Sequence, residues 1–179
     1  MRTIALTPDE TKIISGSDDN TLKVWDLDTG GELFTLGGHL DWVNAVTVTP
    51  DGTKVISGSS DRTLKVWDLD TGEELFTLSG HTDSVYTVAV TTNGKWAISG
   101  SEDHSIKVWN LDTREELFTL SGHQNRVNTL AITSENTRVI SGSDDNTLKV
   151  WDLATGENLS TVSGYSIKAL AITPDNLTG

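Results

Sequence analysis

Cysteine is absent from this chain, which excludes any disulfide framework and any thiolate-bound zinc. A reducing, cytoplasmic setting suits that composition. Proline is scarce, with three residues in 179, and aromatic side chains make up only 6%. Hydrophobic residues reach 35%, below the usual globular share, so a thick helical core is not expected. No apolar run approaches ~20 residues, which excludes a membrane-spanning helix. The opening residues, MRTIALTPDE, lack the apolar stretch of a secretion signal. Basic residues are also in short supply: 13 Lys and Arg stand against 26 Asp and Glu, a net charge of −13. A field of that sign repels phosphate backbones and anionic lipid, so neither nucleic acid nor a membrane is an expected partner. Helical periodicity is missing from end to end.

What the chain does have is repetition. The stretch ISGSDDNTLKVWDL at Ile14–Leu27 returns unchanged at Ile140–Leu153, and in edited form at Ile56–Leu69 and Ile98–Leu111. Trp25, Trp67, Trp109 and Trp151 are spaced 42 residues apart. A constant period of that size signals a stacked array of one supersecondary unit. Within each unit, alternating segments are separated by short turns carrying Gly, Asn, Asp or Pro, which predicts antiparallel hairpins. In the first unit the predicted strands are Thr3–Thr7, Lys12–Ser17, Thr21–Leu27 and Glu32–Leu36, and the other three units follow the same order. The expected blades are 1–36, 37–78, 79–120 and 121–162. Residues 163–179 read as a partial fifth blade, with an inner strand over Ile167–Thr173 that follows a two-residue deletion.

These units resemble WD-repeat β-propeller blades: a Gly-His pair, an inner strand, a Ser-Gly-Ser-x-Asp turn and a closing Trp-Asp. The resemblance covers nearly the whole chain, and the flavour is similar to bacterial arrays, often attached to signalling ATPases. It implies an all-β propeller of four-stranded antiparallel blades, four per chain plus one extra inner strand. It also implies a buried hydrogen-bond set in each unit. These are His39, Ser57, Asp61 and Trp67; His81, Ser99, Asp103 and Trp109; His123, Ser141, Asp145 and Trp151; and, without a histidine, Ser15, Asp19 and Trp25. Buried indole N–H groups and carboxylates need partners, and an imidazole can serve two at once.

The Asp-His-Ser sets invite a hydrolase reading, but a nucleophilic triad needs one exposed serine and an oxyanion hole. Triplication in equivalent buried positions argues for fasteners, and no catalytic residue is expected. Asp26-x-Asp28-x-Gly30 and Asp68-x-Asp70-x-Gly72 fall short of a calcium loop, which needs ~12 residues and a terminal bidentate Glu. No metal or cofactor is expected. Lys23, Lys65, Lys107 and Lys149 are expected in cross-strand charge pairs, Trp96 as filling between blades, and His104 as a solvated turn residue.

Positions that vary within the constant frame are the candidates for recognition: Trp42, Ser84 and Arg126; Asn44, Tyr86 and Asn128; and Asp18, Ser60, Glu102 and Asp144. The resemblance places them at the top entrance of the central channel, where protein partners dock, and Trp, Tyr and Arg are hot-spot residue types. The leading expectation is a non-enzymatic protein-interaction scaffold whose partner the sequence does not name. The alternatives are a self-assembling propeller fragment or engineered blade array with no ligand of its own, and a hydrolase with a site in the central funnel. Four blades lie at the low end of the ~4–8 that propellers use. An uncapped array associates through its end faces, so the expected assembly is a homodimeric eight-bladed ring.

Overall fold

The computed structural model describes residues 1–164 and 166–170. Among them there are sixteen strands and no helix. The first sheet contains β1 (Thr3–Leu6), β2 (Lys12–Gly16), β3 (Thr21–Asp26) and β4 (Glu32–Gly37), in that spatial order and antiparallel throughout. The second holds β5 (Val43–Val48), β6 (Lys54–Ser59), β7 (Thr63–Asp68) and β8 (Glu74–Ser79). The third holds β9 (Val85–Val90), β10 (Trp96–Ser101), β11 (Ile106–Asn110) and β12 (Glu115–Leu120). The fourth holds β13 (Val127–Ile132), β14 (Arg138–Ser143), β15 (Thr147–Asp152) and β16 (Asn158–Ser163). Each sheet is a simple meander, as the short connections require.

Alternation along the strands gives every sheet two faces, and successive sheets bury them against each other. Ile14, Leu22, Val24 and Leu36 of the first sheet pack on Val43, Val46, Val55, Trp67 and Leu69 of the second. The same match recurs between the second and third sheets and between the third and fourth. Trp96 takes part in the last of these junctions. The first strands β1, β5, β9 and β13 neighbour one another in turn, while no packing of comparable extent joins β13 back to β1. The four blades therefore form an arc whose two end faces are left uncovered by the described residues. On the leading face Ile4 is 63% and Leu6 47% exposed, whereas Val46, the counterpart of Ile4, is 9% exposed and Val48, that of Leu6, is partly buried.

Two local devices set the spacing. A Cβ on Gly58 would lie 2.6 Å from a Val85 methyl, and one on Gly100 2.6 Å from a Val127 methyl. Only glycine lets the first strand of the next blade approach so closely. The second device is a bulge: pairing slips between Val43 and Ala45, and between Val127 and Thr129, and Tyr86 is skipped likewise. The extra residue, Asn44, Tyr86 or Asn128, is left out of the ladder.

Residues 166–170 carry no strand, so the fifth inner strand expected over 167–173 is not seen across its described part. The rest of that expectation lies outside the described residues, as does Tyr165.

Candidate functional site

The hydrogen-bond sets are built from three places in each repeat. The loop before the first strand supplies the histidine, the second strand the serine, and the turn after it the aspartate. In the second sheet the Trp67 indole N–H donates to Ser57 Oγ at 2.9 Å, and His39 Nε2 lies 2.8 Å from the same oxygen. His39 Nδ1 is 2.7 Å from Asp61 Oδ2. With a carboxylate as partner, the neutral ring carries its proton on Nδ1 and accepts the Ser57 hydroxyl at Nε2. The result is one directed chain, Trp67 to Ser57 to His39 to Asp61.

His81, Ser99, Asp103 and Trp109 repeat this geometry at 2.8–2.9 Å. His123, Ser141, Asp145 and Trp151 do so at 2.7–2.8 Å. In the first sheet Trp25 still donates to Ser15 at 2.9 Å, but no histidine stands beside them, and Asp19 is exposed with Thr21 as its main partner.

Burial alone would raise the Asp61 carboxyl, but hydrogen bonds from His39, from Thr63 and from the Leu40 N–H hold it well below the usual range. Asp103 and Asp145 are lowered in the same way against the same burial. Burial also lowers His123, and the Asp145 carboxylate only partly offsets that. Each serine oxygen is fully enclosed, as Ser57, Ser99 and Ser141 are 0% exposed. A nucleophile needs an open approach and a free lone pair. These hydroxyls have no open approach and are held between an indole and an imidazole, so the sets tie a loop, a strand and a turn into one blade.

The second serine of each SGS run escaped the sequence reading. Ser59, Ser101 and Ser143 are 0% exposed. They donate to the Asp41, Asp83 and Asn125 carbonyls and accept from the Asp61, Asp103 and Asp145 N–H groups. Their recurrence in every repeat was the available signal.

The variable positions gather on one rim, where the first strands begin and the bulges turn the extra residue out of the ladder. Asn44 donates to Ser60 and to the Val85 carbonyl. Arg126 donates to Asn128 and Asp144 and lies 4.5 Å over the Tyr86 ring. Burial works against its charge, but Tyr86 and Asp144 raise its pKa further. Asp144 collects donors from Lys168, Ser166, Asn128 and Arg126, which hold its carboxyl far below normal despite burial. Trp42 is 46% exposed with the Arg2 guanidinium 4.0 Å over its ring. Arg2 also pairs with Asp18. Ser84 and Glu102 meet through the backbone, Glu102 N–H to Ser84 carbonyl at 2.9 Å. Arg2, Ser166 and Lys168 were not among the expected rim residues. Their counterparts in the frame, Asn44 and Trp42, marked the positions, but the two-residue deletion hid the correspondence for Ser166 and Lys168.

Elsewhere, Lys23, Lys65 and Lys107 pair across strands with Glu32, Glu74 and Glu116. Lys149 instead meets Thr161, because Asn158 stands where the other sheets have Glu. The Asp26 carboxylate accepts the Thr29 N–H and hydroxyl within its hairpin turn. His104 is exposed in a turn at φ 69°.

Three directed hydrogen-bond chains, with a fourth set lacking its histidine, in four meandering sheets are the marks of a repeat protein of propeller type. The chain belongs to the family of the WD domain, G-beta repeat, whose model matches residues 1–26, 30–68, 72–110 and 114–152. Each later match takes in the outer strand of one sheet and the three inner strands of the next, so every repeat is sewn into two blades. Over 37 residues, 21% of the chain, it is 51% identical to a U3 small nucleolar RNA-associated protein 15 of Schizosaccharomyces pombe. Over 42 residues, 24% of the chain, it is 45% identical to a probable serine/threonine-protein kinase PkwA of Thermomonospora curvata. Over 37 residues, 21% of the chain, it is 46% identical to a ribosome assembly protein 4 of Chaetomium thermophilum. These matches span 8%, 6% and 7% of the relatives' own lengths.

Proposed function

We propose that the chain is a non-enzymatic protein-interaction module whose partner docks on the rim around Trp42, Tyr86 and Arg126. The observation that carries this is where the variation falls. The blade-building residues recur almost unchanged, while the loop residues just before the first strands differ in each blade as Trp42, Ser84 and Arg126, and Tyr86 stands at a bulge where its counterparts are Asn44 and Asn128. Among them are an exposed indole under the Arg2 guanidinium and a phenol under the Arg126 guanidinium. Aromatic and Arg side chains are the groups that dominate protein interfaces. Similarity to proteins named for ribosome assembly and for a small nucleolar RNA is in keeping with a scaffold within an assembly, and the kinase match spans only 6% of that protein. The test is affinity capture from a lysate with the wild type and with Trp42→Ala/Arg126→Ala at matched thermal stability. Partners retained equally by both proteins would refute the assignment of the rim.

Self-association is the second reading, and the uncovered leading face favours it. A hollow of about 340 Å³ there is lined by Met1, Ile4, Ile13, Trp25 and Leu27. In the interior junctions the corresponding surface is filled by the preceding blade. A second copy offers a preceding blade in its fourth sheet, and two arcs joined at both ends make the homodimeric eight-bladed ring. Light scattering decides this: a mass of one chain, 19.3 kDa, at micromolar concentration refutes it.

A further inference from the structure

We infer that residues 167–170 serve as the start of an exchangeable first strand, which pairs with β2 of a second copy in place of that copy's own β1. This rests on the self-association reading above and specifies how the copies join.

The sequence supplies the first argument. Residues 167–176, IKALAITPDN, run in step with residues 1–10, MRTIALTPDE, with four identities and with Lys168 and Leu170 matching Arg2 and Ile4 in kind. The chain thus carries two versions of one strand, separated by the whole array.

Placement supplies the second. The Ile167 N–H donates to the Ser143 carbonyl at 3.4 Å, as Val43 does to Ser17 at 3.0 Å. The Ile167 carbonyl accepts from Asn128 at 3.3 Å, as the Val85 carbonyl does from Asn44 at 3.1 Å. A Cβ on Gly142 would come 2.5 Å from the Ile167 side chain, repeating the Gly58–Val85 approach of 2.6 Å. Lys168 pairs with Asp144 on the same rim where Arg2 pairs with Asp18. Ile167 therefore occupies the seat from which the next blade's first strand begins.

That seat admits one strand. By the repeat of 42 residues, a second copy docking with β1 in place would bring its Met1 to Gly142, where Ile167 already sits. β1 is the strand that yields. It is a sheet edge paired only to β2, and its outward side chains are largely exposed. In its register Thr3 faces Gly16 and Ile4 faces Ser15. The exchange sets Ala169 opposite Gly16 of the second copy, and Leu170 opposite Ser15.

The test uses the full chain and mass by light scattering. Ile4→Asp/Leu6→Asp should leave the dimer intact, because the displaced β1 lies outside the junction. Leu170→Asp should reduce it to monomer with an unchanged far-ultraviolet spectrum. The reverse pattern, or equal behaviour of the two variants, overturns the exchange. A wild type that is monomeric sinks the ring itself, which is a separate failure. As a second measurement, the chain lacks cysteine, so Ser15→Cys/Leu170→Cys gives an unambiguous oxidation readout. A disulfide-linked dimer is expected. Oxidation confined to single chains, or none in a dimeric sample, refutes the exchange.

Discussion

Replacing Ser57 by alanine removes a single oxygen atom, and its effect can be worked out from the directed chain of hydrogen bonds. Ser57 accepts the Trp67 indole N–H and donates to His39 Nε2. Trp67 is 1% exposed and Ser57 0%, so no water replaces the lost hydroxyl. Two buried polar groups are orphaned, each at about 1–3 kcal/mol, and since they share one network the sum is not additive. A loss of about 2–4 kcal/mol follows. For a chain of this size that is a fall in Tm of about 4–16 °C. Ser15→Ala is the internal control. The same atom is deleted at the equivalent place, but only the Trp25 indole loses its partner, and Trp25 is partly buried where Trp67 is fully so. Its cost should be the smaller, about 1–2 kcal/mol, since one group is orphaned there rather than two. Urea unfolding followed by tryptophan fluorescence and by circular dichroism measures both. Equal losses at the two positions would refute the argument, because they would show that the histidine adds nothing to the fastener.

Three further expectations follow from the same geometry. Asp61, Asp103 and Asp145 titrate below their ordinary value in the fold, so the unfolded chain takes up their protons first and their stabilisation fades as pH falls below about 4. His123, lowered by burial, adds a gentler loss beginning near pH ~6.5. A Tm that rose between pH 4 and 3 would contradict both. Gly58→Ala forces a methyl to within 2.6 Å of Val85 and should cost about 1–3 kcal/mol as overpacking; a neutral result in thermal melts would show that the blades slide apart freely. Calcium and EDTA should leave the Tm alike, since Asp26 is already bonded within its turn, and a reproducible calcium-dependent rise would reinstate a metal site there.

The sheet architecture was legible because a period of 42 residues overlies a period of two, and the turn residues leave room only for antiparallel hairpins. The fasteners were legible only through the family resemblance. His39 and Asp61 lie 22 residues apart, and no local pattern predicts that they touch. The bulges at Asn44, Tyr86 and Asn128 left no trace in the hydrophobic alternation, because an extra residue at a strand's start does not disturb the residues that follow. Arg2 and Lys168 were missed for a related reason. Their roles depend on the ion pairs made across a rim, and charge on an exposed strand end looks the same whether paired or solvated.

A junction between copies would not equal the three inside the chain, and one residue explains why. Phe34 packs under Gly72 of the next blade, with 3.1 Å between its ring and a Cβ built there. Phe118 meets Gly156 in the same manner, and Phe76 lies 4.8 Å beneath the Arg114 guanidinium. The fourth sheet carries Ser160 at this position, and Val162, where the others have a buried leucine, is 58% exposed. Burying a phenylalanine contributes about 1.5–3 kcal/mol, so a contact lacking it is weaker by about that amount. Part of the deficit is offset where Ile167 fills the Gly142 seat and Lys168 binds Asp144. In the proposed ring the copies would therefore part first, and the blades only afterwards. Dilution should release intact four-blade chains well before any loss of circular dichroism. A single transition in which mass and secondary structure fall together would mean that the external junction is as strong as the internal ones, and that Ser160 is no weak point.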